Sequence, residues 1–499
     1  MATDLQTSPR LQTLSNLPQE IIENICRRLC EKCDHVADGL CELSNCHESA
    51  DRRALASLCR TSRTVARVAQ PHLFHVVRHI TKVEELTRTL SEDARLAGLI
   101  RVFEQSRYVY FREMETKPSP LIGLLTQLDI CDDRDPFPAS GIIGSERIKY
   151  IFIQLVMIYA TQLERLRLDI NGDAWSGFDL DLLSAKLDVL KHASGAAEVL
   201  PLSRVRTIHL TTQWDYGMPF LCRAIQVLLR ATGATIEQLV LHNIIAEYDT
   251  VGDCMRDVRL PGLRRLVLSE SAFDRSSQSS LAFLLQICES AHNLEEFHFS
   301  AMAVFLGEMI DAHATASDFV DCLQPCRETL RALTLDLCSY SSQLQFEPCL
   351  PAGTLAGFSQ LRELALEETS FCQRRRQQPD AAGLPAHTCL ITMLPASIQR
   401  LVIRLWDGSH VWGDLRELAR HAAMGEFPNL EDIRVLASAM DMEDGHNPPS
   451  PEDFLEEYTR ASRMVQGAFA STGISLTVTH CDRNTTTSSE VDMPWLNWP

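Results

Sequence analysis

Cys30 and Cys33 form a CxxC pair, and His35, Cys41, Cys46 and His47 follow closely in CEKCDHVADGLCELSNCHESA (30–50). Thiolate and imidazole donors suit a tetrahedral, borderline-soft ion such as zinc. Zinc modules usually repeat a tight pair on both sides of a knuckle, whereas the second side here is Cys41-x4-Cys46 with His47 adjacent. Cys30, Cys33, Cys41 and Cys46 therefore permit zinc without requiring it. The competing reading is an exposed loop of free thiols, and neither a metal nor any other cofactor is assigned.

Other chemistry finds little footing. There is no P-loop glycine–lysine motif, GxGxxG, HExxH or GxSxG nucleophile elbow. The expectation is a chain without catalytic chemistry of its own. Lys and Arg number 47 against 66 Asp and Glu, a formal net charge of -19. That charge opposes bulk attraction to phosphate backbones, and the Arg374–Arg376 run reads as a solvated loop, so nucleic acid is disfavoured as a partner.

The richest apolar stretch, YIFIQLVMIYA (150–160), is too short to cross a bilayer and carries Gln154. The first twenty residues lack the basic start and apolar centre of a secretory signal. An intracellular place, cytoplasmic or nuclear, with no membrane partner is expected. The 17 cysteines are then mostly small core residues rather than a disulfide framework.

The elements that would position any site come from a recurring six-residue unit, apolar at its first, fourth and sixth places. Its copies begin at residues 125, 163, 205, 236, 263, 294, 330, 361, 398 and 430, with LTQLDI (125–130), LRRLVL (263–268) and LEDIRV (430–435) as examples. Helical patterns such as LCRAIQVLLRATG (221–233) and LAFLLQICESAHN (281–293) lie between them. Each unit is thus a short strand plus a helix, stacked so that strands run parallel. The array resembles leucine-rich repeats, with longer and less regular units, which implies an irregular α/β solenoid or horseshoe over 81–479. A last strand at 474–478 closes the stack behind a helix around 451–469, with a mobile acidic loop at 440–453 and a loose tail over 480–499.

Residues alternating with the buried strand positions face the open, concave side. That rule gives Arg165, Arg167, His209, His242, His298, Glu363, Glu367, Arg400 and Arg404 as candidates to bind a target protein. His209 and His242, on neighbouring strands, also suggest a proton switch or metal pair about 5 Å apart.

After a flexible 1–16, NLPQEIIENICRRL (16–29) reads as a helix capped by Asn16, with Pro18 in its first turn. Leu17, Ile21, Ile25 and Leu29, widened by Ile22, form an apolar stripe that something must cover. A second amphipathic segment, DRRALASLCRTSRTVARVAQPHLF (51–74), sets Leu55, Leu58, Cys59, Ser62 and Ala66 on one side and ends at Pro71. Leu17-Pro18, LASLCRTSRTVARVAQPHLF and the closing Pro71, Leu73 and Phe74 together resemble an F-box, a small all-α module over 17–80 with the cysteine-rich insert at 30–50. The resemblance implies docking to the Skp adaptor, and through it a cullin, by Leu17, Pro18, Ile21, Ile22, Leu55, Leu58, Pro71 and Leu73. It implies a substrate-recognition subunit of an SCF-type ubiquitin ligase. The alternative is a leucine-rich-repeat scaffold outside any ligase.

Overall fold

A computed structural model describes residues 17–30, 50–78, 83–105, 141–170, 180–192, 200–212, 218–219, 223–246, 258–273, 275, 278–301, 313–337, 350–371, 389–405, 411–438 and 451–481. The first copy of the repeat, LTQLDI, and Cys33, Cys41, Cys46, Arg374–Arg376, 440–450 and the tail after 481 lie outside the described residues. The chain divides into two compact units. One takes in Met1–Arg167 and Leu182–Arg204, the other Leu168–Asp181 and Val205–Ser489.

The first unit begins with α1 (Gln19–Leu29), α2 (Ala50–Leu58) and α3 (Arg63–His75), then β1 (Val76–Arg78), α4 (Val83–Glu92), α5 (Ala94–Ala97), β2 (Val102–Gln105) and α6 (Gly141–Tyr159). Next come β3 (Arg165–Ile170), within which the division falls, and α7 (Asp181–His192). The second unit continues with β4 (Thr207–Thr212), β5 (Met218–Pro219), α8 (Arg223–Thr232), β6 (Gln238–His242), β7 (Ile244–Ala246), β8 (Arg265–Phe273), α9 (Gln278–Ser290) and β9 (Glu296–Ala301). It ends with α10 (Ala316–Leu323), β10 (Ala332–Asp336), β11 (Glu363–Glu367), α11 (Cys389–Met393), β12 (Arg400–Leu405), α12 (Val411–Ala423), β13 (Asp432–Ser438), α13 (Pro451–Phe469) and β14 (Ser475–Cys481).

Helices α1 to α3 pack on one small core of Ile22, Cys26, Cys30, Leu55, Val65, Val68 and Ala69. Three local expectations differ. Helix α1 starts at Gln19 with Pro18 as its N-cap, whose carbonyl accepts from the Ile21 and Ile22 amides at 3.1 and 3.3 Å. The 51–74 segment is two helices rather than one, because Ser62 turns extended and its hydroxyl accepts from the Val65 amide at 3.2 Å, capping α3. Pro71 does not end α3, which runs on to His75. Proline deletes one backbone bond, yet the helix continues through the buried His72 beside it.

Elsewhere in this unit, α6 from Tyr150 onward is largely buried, with Phe152, Ile153, Val156 and Met157 in the core. Its Gln154 is turned to use, since the side-chain oxygen accepts from the Leu182 and Leu183 amides at 3.0 and 3.2 Å and so caps α7. Among the described residues, no helix is long and apolar enough to cross a membrane.

The second unit is α/β, its parallel strands alternating with helices, and every pairing from β4 through β14 is parallel. The 1-4-6 spacing shows why. Ile208 and Leu210, Leu239 and Leu241, and Leu266 and Leu268 point inward and are sealed from solvent, and the same places hold Leu364 and Leu366 on β11. Each such side chain contributes about 1.5–3 kcal/mol when buried. The first apolar place of each described unit, as at Ile236, Leu263, Leu294 and Leu330, is also buried. On β9 the inward residues are Phe297 and Phe299, and with Phe273 and Phe319 they make an aromatic cluster in which the Phe299 and Phe319 centroids lie 4.2 Å apart.

Successive units are stitched by one repeated bond pattern. The Arg206 carbonyl accepts from the Glu237 and Gln238 amides, that of Glu237 from Arg264 and Arg265, and that of Arg264 from Glu295 and Glu296. The same two-donor carbonyl recurs at Glu295, Arg331, Arg362 and Gln399. A further strand is added at the end as expected, β14, whose residues alternate between exposed and half-buried.

Candidate functional site

The outward strand positions of the second unit line up in rungs. One rung reads Arg265, Glu296, Ala332, Glu363, Arg400 and Asp432 across β8 to β13, because the six-residue units pair without offset. Strands stand about 4.8 Å apart, so neighbouring rung side chains reach one another. Arg265 Nε lies 3.2 Å from Glu296 Oε2, and Arg400 Nη2 lies 2.8 Å from Glu363 Oε1. A depression of about 220 Å³ opens over this stretch, walled by Arg265, Glu296, His298, Thr334 and Glu363 with Val402 in its floor.

The next rung carries His298 and Thr334 in register. His298 Nδ1 is 2.9 Å from Thr334 Oγ1, and Nε2 is 3.7 Å from Glu296 Oε2. Burial pushes His298 below the ordinary imidazole value, which favours the neutral ring in its place between Thr334 and Glu296. The His298 hydrogen bond, aided by Arg265, holds Glu296 below the usual carboxylate range. Burial pushes Glu363 the other way, against the pull of Arg400. One wall of the depression therefore stays anionic while its neighbour takes a proton more readily.

A third rung joins strands that are not adjacent. Arg404 Nη1 on β12 reaches Asp336 Oδ2 on β10 at 2.6 Å, passing β11, where Glu367 stands opposite Arg404. Glu367 is only 1% exposed, so it does not offer a carboxylate outward. His209 and His242 do sit on paired strands, but His209 stands opposite Val240 and His242 opposite Thr211, two residues along. His242 instead contacts Ser269 Oγ at 3.0 Å and Glu270 Oε2 at 3.3 Å, and this bond holds Glu270 below the usual carboxylate range. His242 therefore belongs to a histidine–carboxylate pair with Glu270, and the histidine pair that the sequence merely allowed is not formed. In β3, Arg165 is exposed and Arg167 half-buried.

Glu270 and Asn243 were not foreseen. Both adopt positive φ, 45° and 58°, where the strands β8 and β6 end their regular pairing. Asn243 fits there because asparagine tolerates the left-handed region and its Nδ2 donates to the Thr212 carbonyl at 3.1 Å. An asparagine two residues past the six-residue unit at 236–241 was the available signal.

In the first unit the expected adaptor-binding residues divide. Ile22 and Leu55 are buried in the core of α1 to α3, Leu17, Leu58 and Leu73 pack half-buried at its rim, and Pro71 is half-buried. Pro18 and Ile21 are uncovered, Ile21 at 44% exposure. The structure also brings Cys30 to His72 and His75, which the sequence reading did not connect. Glu23 lies 3.1 Å from His72 Nε2. Compared with protein-family models, curated proteins and solved structures, the chain matches none.

Proposed function

We propose that this chain is a non-catalytic substrate receptor of an SCF-type ubiquitin ligase, its N-terminal helices an F-box that docks the Skp adaptor and through it a cullin. The observation that carries this reading is the helical cluster itself. Helices α1 to α3 bury a core of their own and still leave Pro18 and Ile21 uncovered beside half-buried Leu17, at the edge where the F-box resemblance puts adaptor contacts. The charged rungs of the parallel strands, with Arg265, Glu296, Glu363 and Arg400 at their centre, are the face for a target protein of patterned charge. Holding that target near a charged ubiquitin carrier raises its effective concentration, and partner subunits perform the transfer.

The test is binding of the purified full chain to the Skp adaptor by calorimetry. Ile21 is exposed, so Ile21→Asp leaves the fold intact, and as an anchor of the interface its loss costs about 2 kcal/mol or more, roughly 30-fold in affinity. A folded wild-type chain that fails to bind the adaptor overturns the receptor reading and leaves a leucine-rich-repeat scaffold outside any ligase.

A further inference from the structure

We infer that Cys30, His72 and His75 form a binding site for a divalent transition metal of zinc-like chemistry, held by one thiolate and two imidazoles. One ligand atom from each residue lies within 4.8 Å of the other two. Cys30 Sγ is 3.6 Å from His75 Nδ1. A tetrahedral ion with metal–sulfur and metal–nitrogen bonds of about 2.3 and 2.0–2.1 Å needs its sulfur and nitrogen about 3.5–3.6 Å apart, so this edge of the site has its required length.

The fold positions all three. His72 and His75 are three residues apart on α3 and so share one helix face, with ring centroids 5.3 Å apart. Cys30 is the C-cap of α1, where the backbone turns extended and the Cys30 amide donates to the Arg27 carbonyl at 3.2 Å. It is 2% exposed, and His72 is 6% exposed. A core built on so few apolar residues has little reserve for burying two imidazoles and a thiol, and a metal would turn that cost into stabilisation.

Glu23 supplies the outer support. Its Oε1 at 3.1 Å from His72 Nε2 is the carboxylate that orients the ring while the other nitrogen serves the metal. A small cavity beside the cluster is lined by Cys30, Arg52, His72 and Arg78. Arg78 is neutralised by Glu104 at 2.7 Å, which limits its repulsion of a cation. With three protein ligands, the fourth position is left to water or an exogenous group.

A thiol–imidazole hydrogen bond would also set sulfur and nitrogen 3.6 Å apart, so the experiment must separate the two. The full chain, reduced and stripped with a chelator, is titrated with cobalt(II) and followed through its visible ligand-field and thiolate charge-transfer bands. It is run in a Cys33→Ser, Cys41→Ser, Cys46→Ser background so that those thiols cannot contribute. The expected result is one cobalt per chain, displaced by zinc, and a rise in melting temperature on loading. His75→Gln weakens binding by at least about 100-fold, and Glu23→Gln by about 10–100-fold, the usual cost of a lost outer-shell partner. Cys30→Ser removes the charge-transfer band. Because Cys30 is buried, the partly exposed His75 and Glu23 variants decide the matter should Cys30→Ser not fold. No stoichiometric cobalt in this background, or binding unchanged by His75→Gln, overturns the site.

Discussion

The N-terminal helices and the strand ladder solve the same problem with different resources. Helices α1 to α3 close over seven buried residues, two of them cysteines, and fill the gap with polar contacts among Glu23, Cys30, His72 and His75. The ladder repeats one inward pair of apolar residues strand after strand and can spare its outward positions for charge. A small core borrows polar chemistry to hold together, whereas a long array frees it for display.

The largest effects should come from the two cores. Phe319→Ala empties the aromatic cluster against Phe273 and Phe299 and is expected to cost about 3–5 kcal/mol, read as a shift in the urea midpoint of tryptophan fluorescence. Leu55→Ala in the helical core is expected to cost about 2–3 kcal/mol, read by hydrogen exchange at α1 and α3. No tryptophan precedes Trp175, so the fluorescence transition should stay put in Leu55→Ala. If it moves as far as in Phe319→Ala, the contrast between the regions fails.

Next in size is a pH response of opposite sign in the two places. His298 in the ladder lies below the ordinary imidazole value because it is buried, so the unfolded chain takes up a proton that the folded chain refuses. Ladder stability should hold above about pH 6.5 and decline as pH falls below it, by at most about 1.4 kcal/mol per unit. His298→Asn should flatten that slope. His72 is raised instead, by its hydrogen bonds to Cys30 and Glu23 against burial. Its contribution is complete below the unfolded value near 6.5 and fades as pH rises through the higher folded value. Hydrogen exchange of α3 in the metal-free chain at pH 6 and pH 8 checks this; equal protection would sink it.

The smallest effect sharpens a local point. Ser62→Ala removes the cap of α3 and is expected to cost about 1 kcal/mol, seen as faster exchange in its first turn with the ladder untouched.

Much of the ladder was legible because alternation along a strand is a strict rule: apolar residues at places four and six of each unit share one buried face, with place one buried in the turn before the strand, and the residues between them were thereby named as the outward charges. The partners of those charges were not legible. Arg404 reaches past a whole strand to Asp336, and His242 turns to a residue in a left-handed bend, choices made by rotamers and bulges rather than by pattern. In the helical unit, Leu55, Leu58, Cys59 and Ser62 fit one continuous face so well that the break at Ser62 was masked, although serine before a new turn is a cap signal. Sequence proximity couples Cys30 to Cys33, while the fold sets it beside histidines more than forty residues away.

The carbonyl stitch from Arg206 to Gln399 has a genealogical consequence. Every junction presents the same acceptor to the same pair of donors, whatever the length of the segment between, so a unit excised or duplicated whole leaves a junction its neighbours can still complete. Such an array can lengthen, shorten or exchange its segments over generations without renegotiating its backbone, and lineages of this chain would be expected to differ by entire units far more readily than by fractions of one.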